Sequence, residues 1–167
     1  VGGLGLGDVQ AGMVASVFTA CYGLCVPLAG FLGDRLRRKW QLLFSVLVFS
    51  IGTLLTGLSG GLVSLILFYG VVFAVGEAFY YPPATSLMSQ FHEESRATAF
   101  SIHQTALYIG IMFSGYFSGY LSRTSSMQWR APFILFGAVG ILWSLVLLIF
   151  MRDTPNQKTA GDAARVT

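Results

Sequence analysis

Residues 62–91 read LVSLILFYGVVFAVGEAFYYPPATSLMSQF, and this stretch decides the fold because it is long and apolar enough to cross a bilayer. It carries one carboxylate, Glu77, midway along its length. A charged side chain at the membrane centre costs roughly 2.5–3.5 kcal/mol on insertion scales, so Glu77 is predicted to face protein or water and to be functional. The alternative is a structural acid tied to a neighbouring helix.

A pair of prolines follows the acid within two helical turns. Pro82 and Pro83 lack the N–H groups that would bond the carbonyls of Ala78 and Phe79, so the helix is expected to be broken there. Irregular backbone at membrane depth is tolerated only where it is buried in protein or lines a cavity. This turn is therefore a candidate binding site, although membrane helices accept proline more readily than soluble helices do.

The composition of the whole chain agrees with a membrane protein. Of its 167 residues, 54% are hydrophobic and only 10% are charged, and the mean hydropathy is +0.70. Soluble domains carry about a quarter charged residues, so an ordinary water-soluble fold is excluded. The net charge of +3 lies at the ends of apolar segments rather than on one face, which argues against nucleic-acid binding. No cofactor and no metal site are expected.

Five apolar runs are long enough to span, at 9–32, 40–58, 62–91, 97–121 and 131–151. Their connections are short, which predicts that consecutive spans are antiparallel neighbours. The expected fold class is therefore an all-α membrane protein, a polytopic bundle of five transmembrane helices over residues 1–151. Residues 152–167 are polar and are expected to begin a cytoplasmic linker.

The distribution of basic residues predicts the orientation. Cytoplasmic loops of membrane proteins carry an excess of lysine and arginine. Eight of the ten basic residues lie on one side, and only Arg123 and Arg130 lie on the other. Loops 33–39 and 92–96 and the C-terminus are therefore predicted to be cytoplasmic. The protein is expected to be multi-pass, in the plasma (inner) membrane.

The link between the first two spans reads GFLGDRLRRK, residues 30–39. Gly30 and Gly33 permit close packing and a turn, and Asp34 can pair with Arg35 or Arg38 or cap a helix. The order of residues resembles the signature loop of the major facilitator superfamily, G-x-L-A-D-R/K-x-G-R/K-R/K. The matching positions are Gly30, Leu32, Asp34, Arg35, Arg38 and Lys39.

Two positions depart from that pattern: Gly33 stands in place of alanine, and Arg37 in place of glycine. The resemblance implies that Gly30, Asp34, Arg35 and Arg38 form a conformational loop, a latch between the halves of a transporter, rather than substrate ligands. It also implies that the five spans are helices two to six of a six-helix half. The first helix and the C-terminal half of the same transporter are then expected partners outside this sequence.

Within the superfamily, GEA at 76–78 followed by a proline-bearing turn resembles the fourth helix of organic anion and sugar-acid symporters, with spinster-like lipid carriers as second choice. Both groups commonly place an arginine seven residues before the glutamate. Here that position is Gly70. The resemblance therefore implies that the cation for an anionic substrate comes from the helices outside this sequence.

Six residues are candidates for a substrate and proton pathway. Glu77 is predicted to be the proton-coupling acid, because burial favours the neutral carboxyl and a water-filled cavity the charged one. Tyr80 and Tyr81 lie one turn further on and are candidate hydrogen-bonding or stacking contacts. On the fourth span Gln104 and Tyr108 share a face, whereas His103 points elsewhere and lies nearer the cytoplasm. The alternative for each polar residue except Glu77 is simple packing or a bond to a neighbouring helix.

These features predict a secondary active transporter that moves a small polar organic solute, such as a sugar acid, organic anion or sugar, by alternating access. Coupling to a proton or another cation is expected, as in symport. The alternative within the superfamily is a lipid or drug exporter. A remote alternative is an intramembrane enzyme using Glu77 and His103, but no nucleophile or metal set accompanies them, so no enzyme activity and no catalytic residues are predicted.

Overall fold

The structure, a computed structural model, describes residues 5–33 and 36–151, and every regular element in this part of the chain is helical. The element from Leu62 to Phe91 is interrupted by a π-helical segment, Ile66–Phe73, and is called the interrupted helix below. The α-helices are α1 (Asp8–Gly33), α2 (Arg38–Gly57), α3 (Leu62–Leu65), α4 (Ala74–Ala78), α5 (Tyr81–Phe91), α6 (Arg96–Thr124) and α7 (Arg130–Phe150).

Four of these elements are long and apolar enough to cross a membrane: α1, α2, the interrupted helix and α7. Helix α6 has 29 residues, which is also long enough, but it is not among the four. Its glycines, serines and tyrosines lower its hydropathy below that of the other four. The chain is thus a polytopic helical membrane protein. Of the five long helices in the described part of the chain, α6 is the least apolar.

Helix α2 lies at the centre of the bundle. It packs most extensively against α7 on one side and against the interrupted helix on the other. The expectation that α1 and α2 are close neighbours because their link is short is wrong, since α1 packs mainly on the interrupted helix, whereas α2 lies between that helix and α7. Helix α6 lies at the margin, against α5 and α7, and none of its residues is buried.

Glycines allow the central helices to approach closely. A Cβ added at Gly52 of α2 would lie 2.7 Å from the backbone nitrogen of Phe73, and one at Gly137 of α7 would lie 2.6 Å from that of Leu54. Gly76 lies equally tightly against the backbone of Phe49. Small residues at helix contacts are typical of membrane bundles, where close backbone packing drives association. These contacts hold α2 between α7 and α4.

The bundle carries small or polar side chains inside and large apolar side chains outside. Ser45, Ser50 and Thr56 of α2 are almost completely buried, and the Ser50 hydroxyl donates to the Val46 carbonyl of the preceding turn at 2.6 Å. By contrast, Val63 and Ile149 are each more than three-quarters exposed. This distribution is the one expected when the surroundings are lipid, since apolar side chains outside then meet hydrocarbon rather than water.

Candidate functional site

Glu77 lines a cavity of about 490 Å³, called the Glu77 cavity below. The cavity lies between α2, the interrupted helix, α6 and α7, and Tyr80 is the other residue with a titratable side chain in its wall. The remaining lining residues are apolar: Leu42, Val46, Phe49, Phe73, Leu107, Trp143 and Leu147. Glu77 is partly buried and lines this cavity, which is partly open at the surface of the described chain, rather than being enclosed in continuous packing.

The backbone that positions Glu77 is irregular on both sides. The π-helical segment ends at Phe73, and α4 then runs for only five residues before Phe79 caps it. The Tyr80 N–H donates to the Glu77 carbonyl at 3.1 Å, which keeps the two residues one tight turn apart. Pro82 and Pro83 follow in the first turn of α5, where the missing N–H groups have no helical partner to lose.

The Tyr80 side chain connects this turn to α6. Its hydroxyl lies 3.3 Å from Nε2 of His103, and the two rings stack with centroids 6.4 Å apart and planes at 20°. Both side chains are half-buried. The sequence suggested that His103 points away from the face of Gln104 and Tyr108, and the structure shows what it meets instead: the tyrosine one turn after the acid.

Three further candidate residues are not in the wall of the Glu77 cavity. Tyr81 is 48% exposed and Tyr108 is 62% exposed, and Gln104 is also on the surface of the described chain. Helix α6 therefore presents its Gln104 and Tyr108 face outward, where nothing in the described residues covers it. Within this chain, Glu77, Tyr80 and His103 are the candidates that the fold brings together.

The candidate conformational loop lies at the junction of α1 and α2. Asp34 and Arg35 are outside the described residues. Gly30 lies in the last turns of α1, and Arg38 is the first residue of α2, with Nη1 buried and without a hydrogen-bond partner in the described part of the chain. One turn later, Gln41 donates from Nε2 to the Ala29 carbonyl at 2.8 Å and so ties the two helix ends together.

An aromatic cluster that the sequence reasoning missed lies beside the acid. Phe73 stacks on Tyr69 with centroids 5.2 Å apart and planes at 8°, and Phe18 of α1 packs against both rings. Phe73 lines the Glu77 cavity and also a second cavity of about 310 Å³, which reaches Trp129 at the start of α7. The spacing of four between Tyr69 and Phe73, and again between Phe73 and Glu77, is the signal that could have revealed this shared face.

A bundle of apolar helices with a lone carboxylate facing an internal cavity defines a polytopic membrane protein of the carrier or channel class. The family model of the Major Facilitator Superfamily matches residues 2–166. The chain belongs to that superfamily, which confirms the resemblance inferred from the loop at 30–39. Membership of a transporter superfamily goes against the remote alternative of an intramembrane enzyme.

Individual members of the superfamily are also similar to this chain in sequence or in structure. The chain is 28% identical over 155 residues to a probable sulfoacetate transporter of Cupriavidus necator, covering 92% of this chain and 35% of the relative. It is 29% identical over 143 residues to a D-galactonate transporter of Escherichia coli, covering 85% and 33% respectively. A crystal structure of a bacterial homolog of the human lysosomal transporter Spinster, inward-facing and occupied, matches with a TM-score of 0.74 at 27% identity, covering 90% of this chain and 38% of that one. The chain thus spans about a third of the length of these relatives.

Proposed function

We propose that this chain is part of a secondary active transporter that moves a small polar organic solute, a sugar acid, organic anion or sugar, by alternating access coupled to a proton. The observation that carries the proposal is that Glu77, an acid within a membrane span, faces the Glu77 cavity instead of solid packing. Ionisable residues inside membrane spans mark pathways and relays, and this one lies beside an irregular helix turn. Two of the relatives are named for the anions sulfoacetate and D-galactonate, which supports an anionic cargo.

The coupling step follows from the surroundings of the acid. When the cavity is closed and dry, its apolar walls favour the protonated, neutral form of Glu77. When the cavity opens to water, hydration favours the carboxylate, and the proton leaves. A carrier that changes access while Glu77 is neutral therefore carries a proton with its solute. Tyr80, in the same wall, can hold the carboxyl or the water next to it by a hydrogen bond.

Recognition of an anion needs a cation that this cavity does not provide. None of the residues lining the Glu77 cavity is basic. The position seven residues before the acid is Gly70, and a Cβ added there would lie 3.1 Å from Val17. The cation would then come from parts of the transporter outside this sequence. Tyr81, Gln104 and Tyr108, exposed here, are proposed to meet substrate or those same parts.

Orientation and location are part of the proposal. The eight basic residues on one side favour a cytoplasmic position for loops 33–39 and 92–96 and for the C-terminus, in a plasma (inner) membrane protein. Gly30, Asp34, Arg35 and Arg38 would then form the cytoplasmic latch that holds one conformational state. Residues 1–151 would be the partial N-terminal bundle, and 152–167 would begin the linker to the other half.

An exporter of lipid or drug is the second candidate. The observation that favours it is the apolar wall of the Glu77 cavity, in which seven of nine lining residues are hydrophobic. Such a wall suits an amphipathic cargo better than a hydroxylated acid. Similarity to a Spinster homolog is compatible with this second candidate as well as with the first.

The experiment that separates the two candidates is uptake by the full-length transporter in sealed vesicles. With an inward proton gradient, we expect accumulation of one of a panel of sulfonates and sugar acids, abolished when a protonophore collapses the gradient. Control vesicles carry the same lipid without protein. Movement of fluorescent lipids or hydrophobic dyes in the absence of any anion uptake would favour the exporter and overturn the proposal.

A further inference from the structure

His103 bonds to a residue that lines one cavity and itself lines another. The first is the Glu77 cavity, whose wall includes Tyr80, the hydrogen-bonding partner of His103. The second has a volume of about 340 Å³ and is lined by His103 itself, by the polar residues His92, Ser95 and Thr98, and by the apolar residues Met88, Ala99 and Ile102. It is called the His92 cavity below. His92 and Ser95 are exposed, so this cavity opens to the surface of the described part of the chain.

We infer that Tyr80 and His103 form the passage by which protons move between Glu77 and the side of the membrane on which His92 lies. The inference rests on the proposed function, because it assigns a route to the proton that Glu77 is proposed to carry. By the distribution of basic residues, the side of His92 is the cytoplasm. His103 is the side chain that belongs to the wall of one cavity and bonds to the wall of the other.

The chemistry of each transfer balances. The Glu77 carboxyl gives its proton through water in the cavity to the Tyr80 oxygen, while the Tyr80 hydroxyl gives its own proton to Nε2 of neutral His103, 3.3 Å away. The imidazolium then loses the proton on Nδ1 to water in the His92 cavity. Glu77 is left as a carboxylate, Tyr80 is unchanged, and His103 is left with its proton on Nε2; loss of that proton to water and uptake of a proton from water on Nδ1 restore the starting tautomer.

The groups that face His103 are few. From the turn before α5 it meets Tyr80, and from the loop before α6 it shares a cavity with His92. From α7, the residues that reach the Glu77 cavity are Trp143 and Leu147, neither of which titrates between pH 5 and 8. Arg96, the first residue of α6, and Glu94, in the loop before it, are both exposed and outside the lining of the His92 cavity.

The test uses full-length transporter in vesicles and compares two modes of transport. Proton-driven accumulation needs the passage, whereas exchange of labelled for unlabelled solute without a gradient does not. For His103→Gln and for Tyr80→Phe we expect proton-driven uptake to fall about tenfold or more, as is typical when a proton-transferring group is removed, and to fall much further than exchange does. Tyr116→Phe is the matched control, since Tyr116 is 76% exposed on the same helix and loses the same hydroxyl.

A rescue experiment separates a proton-transferring role from a structural one. In His103→Gly, imidazole added on the side of the His92 cavity can occupy the vacated space, and we expect it to restore proton-driven uptake. Unchanged proton-driven uptake in His103→Gln, equal loss of exchange and accumulation, or failure of imidazole to restore uptake would each overturn the inference. If the wild-type protein itself shows no dependence on the proton gradient, the proposed function fails, and the passage fails with it.

Discussion

Gly52 of α2 lies directly against the backbone of Phe73, the residue whose ring lines both the Glu77 cavity and the cavity that reaches Trp129. A Cβ at Gly52 would lie 2.7 Å from the Phe73 nitrogen and 2.9 Å from its Cα. Backbone atoms cannot move aside as a flexible side chain can. The absence of a side chain at Gly52 therefore allows α2 to lie directly against the end of the π-helical segment, four residues before Glu77.

Replacing Gly52 by valine should separate α2 from the interrupted helix. Overpacking of this kind typically destabilises a protein by about 1–3 kcal/mol, and here the backbone contact puts the expected value at the upper end of that range. The free energy of unfolding of the full-length protein in mixed micelles measures it. Gly60→Ala is the control, because nothing lies within 4 Å of a Cβ at that position. Equal stability of the Gly52 variant and the control would show that the close approach is not required.

Arg130, the first residue of α7, connects that helix to the end of α2. Its Nη2 donates to the carbonyl of Ser59, a fully buried residue after α2, at 2.9 Å, and its guanidinium lies 5.3 Å from the centroid of the Trp129 ring. Arg130→Ala should lower the free energy of unfolding by about 1–3 kcal/mol, because it removes a charge-assisted hydrogen bond and leaves that acceptor unpaired. Arg123→Ala, at an exposed position on α6, should change it little. Indistinguishable effects of the two variants would contradict this role.

Arg38 tests the proposed latch. If the loop at 30–39 holds one conformational state, then Arg38→Ala should shift the equilibrium between the outward- and inward-facing states without abolishing substrate binding. We expect slower net transport with retained binding, and altered labelling of single cysteines placed on the two sides of the membrane. Lys39→Ala is a matched control, since it removes a neighbouring positive charge from the same helix turn. Wild-type transport and labelling in the Arg38 variant would show that no latch operates through this residue.

The sequence was sufficient to predict the class of fold, because the evidence for it is local. Apolar length and the rarity of charge indicate a polytopic membrane protein, and the residues at 30–39 resemble the signature loop of the superfamily, all without reference to packing. Neighbour relations are not local. The short link between α1 and α2 indicated contact between them, but the interrupted helix packs against both instead. Its small residues Gly70, Ala74 and Ala78 are buried.

The site was predictable to a different degree at each residue. An acid in an apolar span and a proline pair are strong signals, and the break at Phe79 and Tyr80 lies one residue before the prolines. The π-helical segment has no such signal, because Ile66–Phe73 is uniformly apolar and its register depends on the contacts of Gly70 and Phe73. The pairing of Tyr80 with His103 joins residues 23 positions apart on different helices, which periodicity along one helix cannot predict.

In the proposed transport cycle, the central step is the exchange of a proton at the Glu77 carboxyl. The direct measurement is transport by Glu77→Gln in the full-length protein, with Glu93→Gln as control because Glu93 is an exposed acid in the loop before α6. Glutamine keeps the size and a hydrogen-bonding group but cannot release a proton. We predict that Glu77→Gln loses proton-driven accumulation and retains exchange of labelled solute, while Glu93→Gln keeps both. Proton-driven accumulation at the wild-type level in Glu77→Gln would contradict the account.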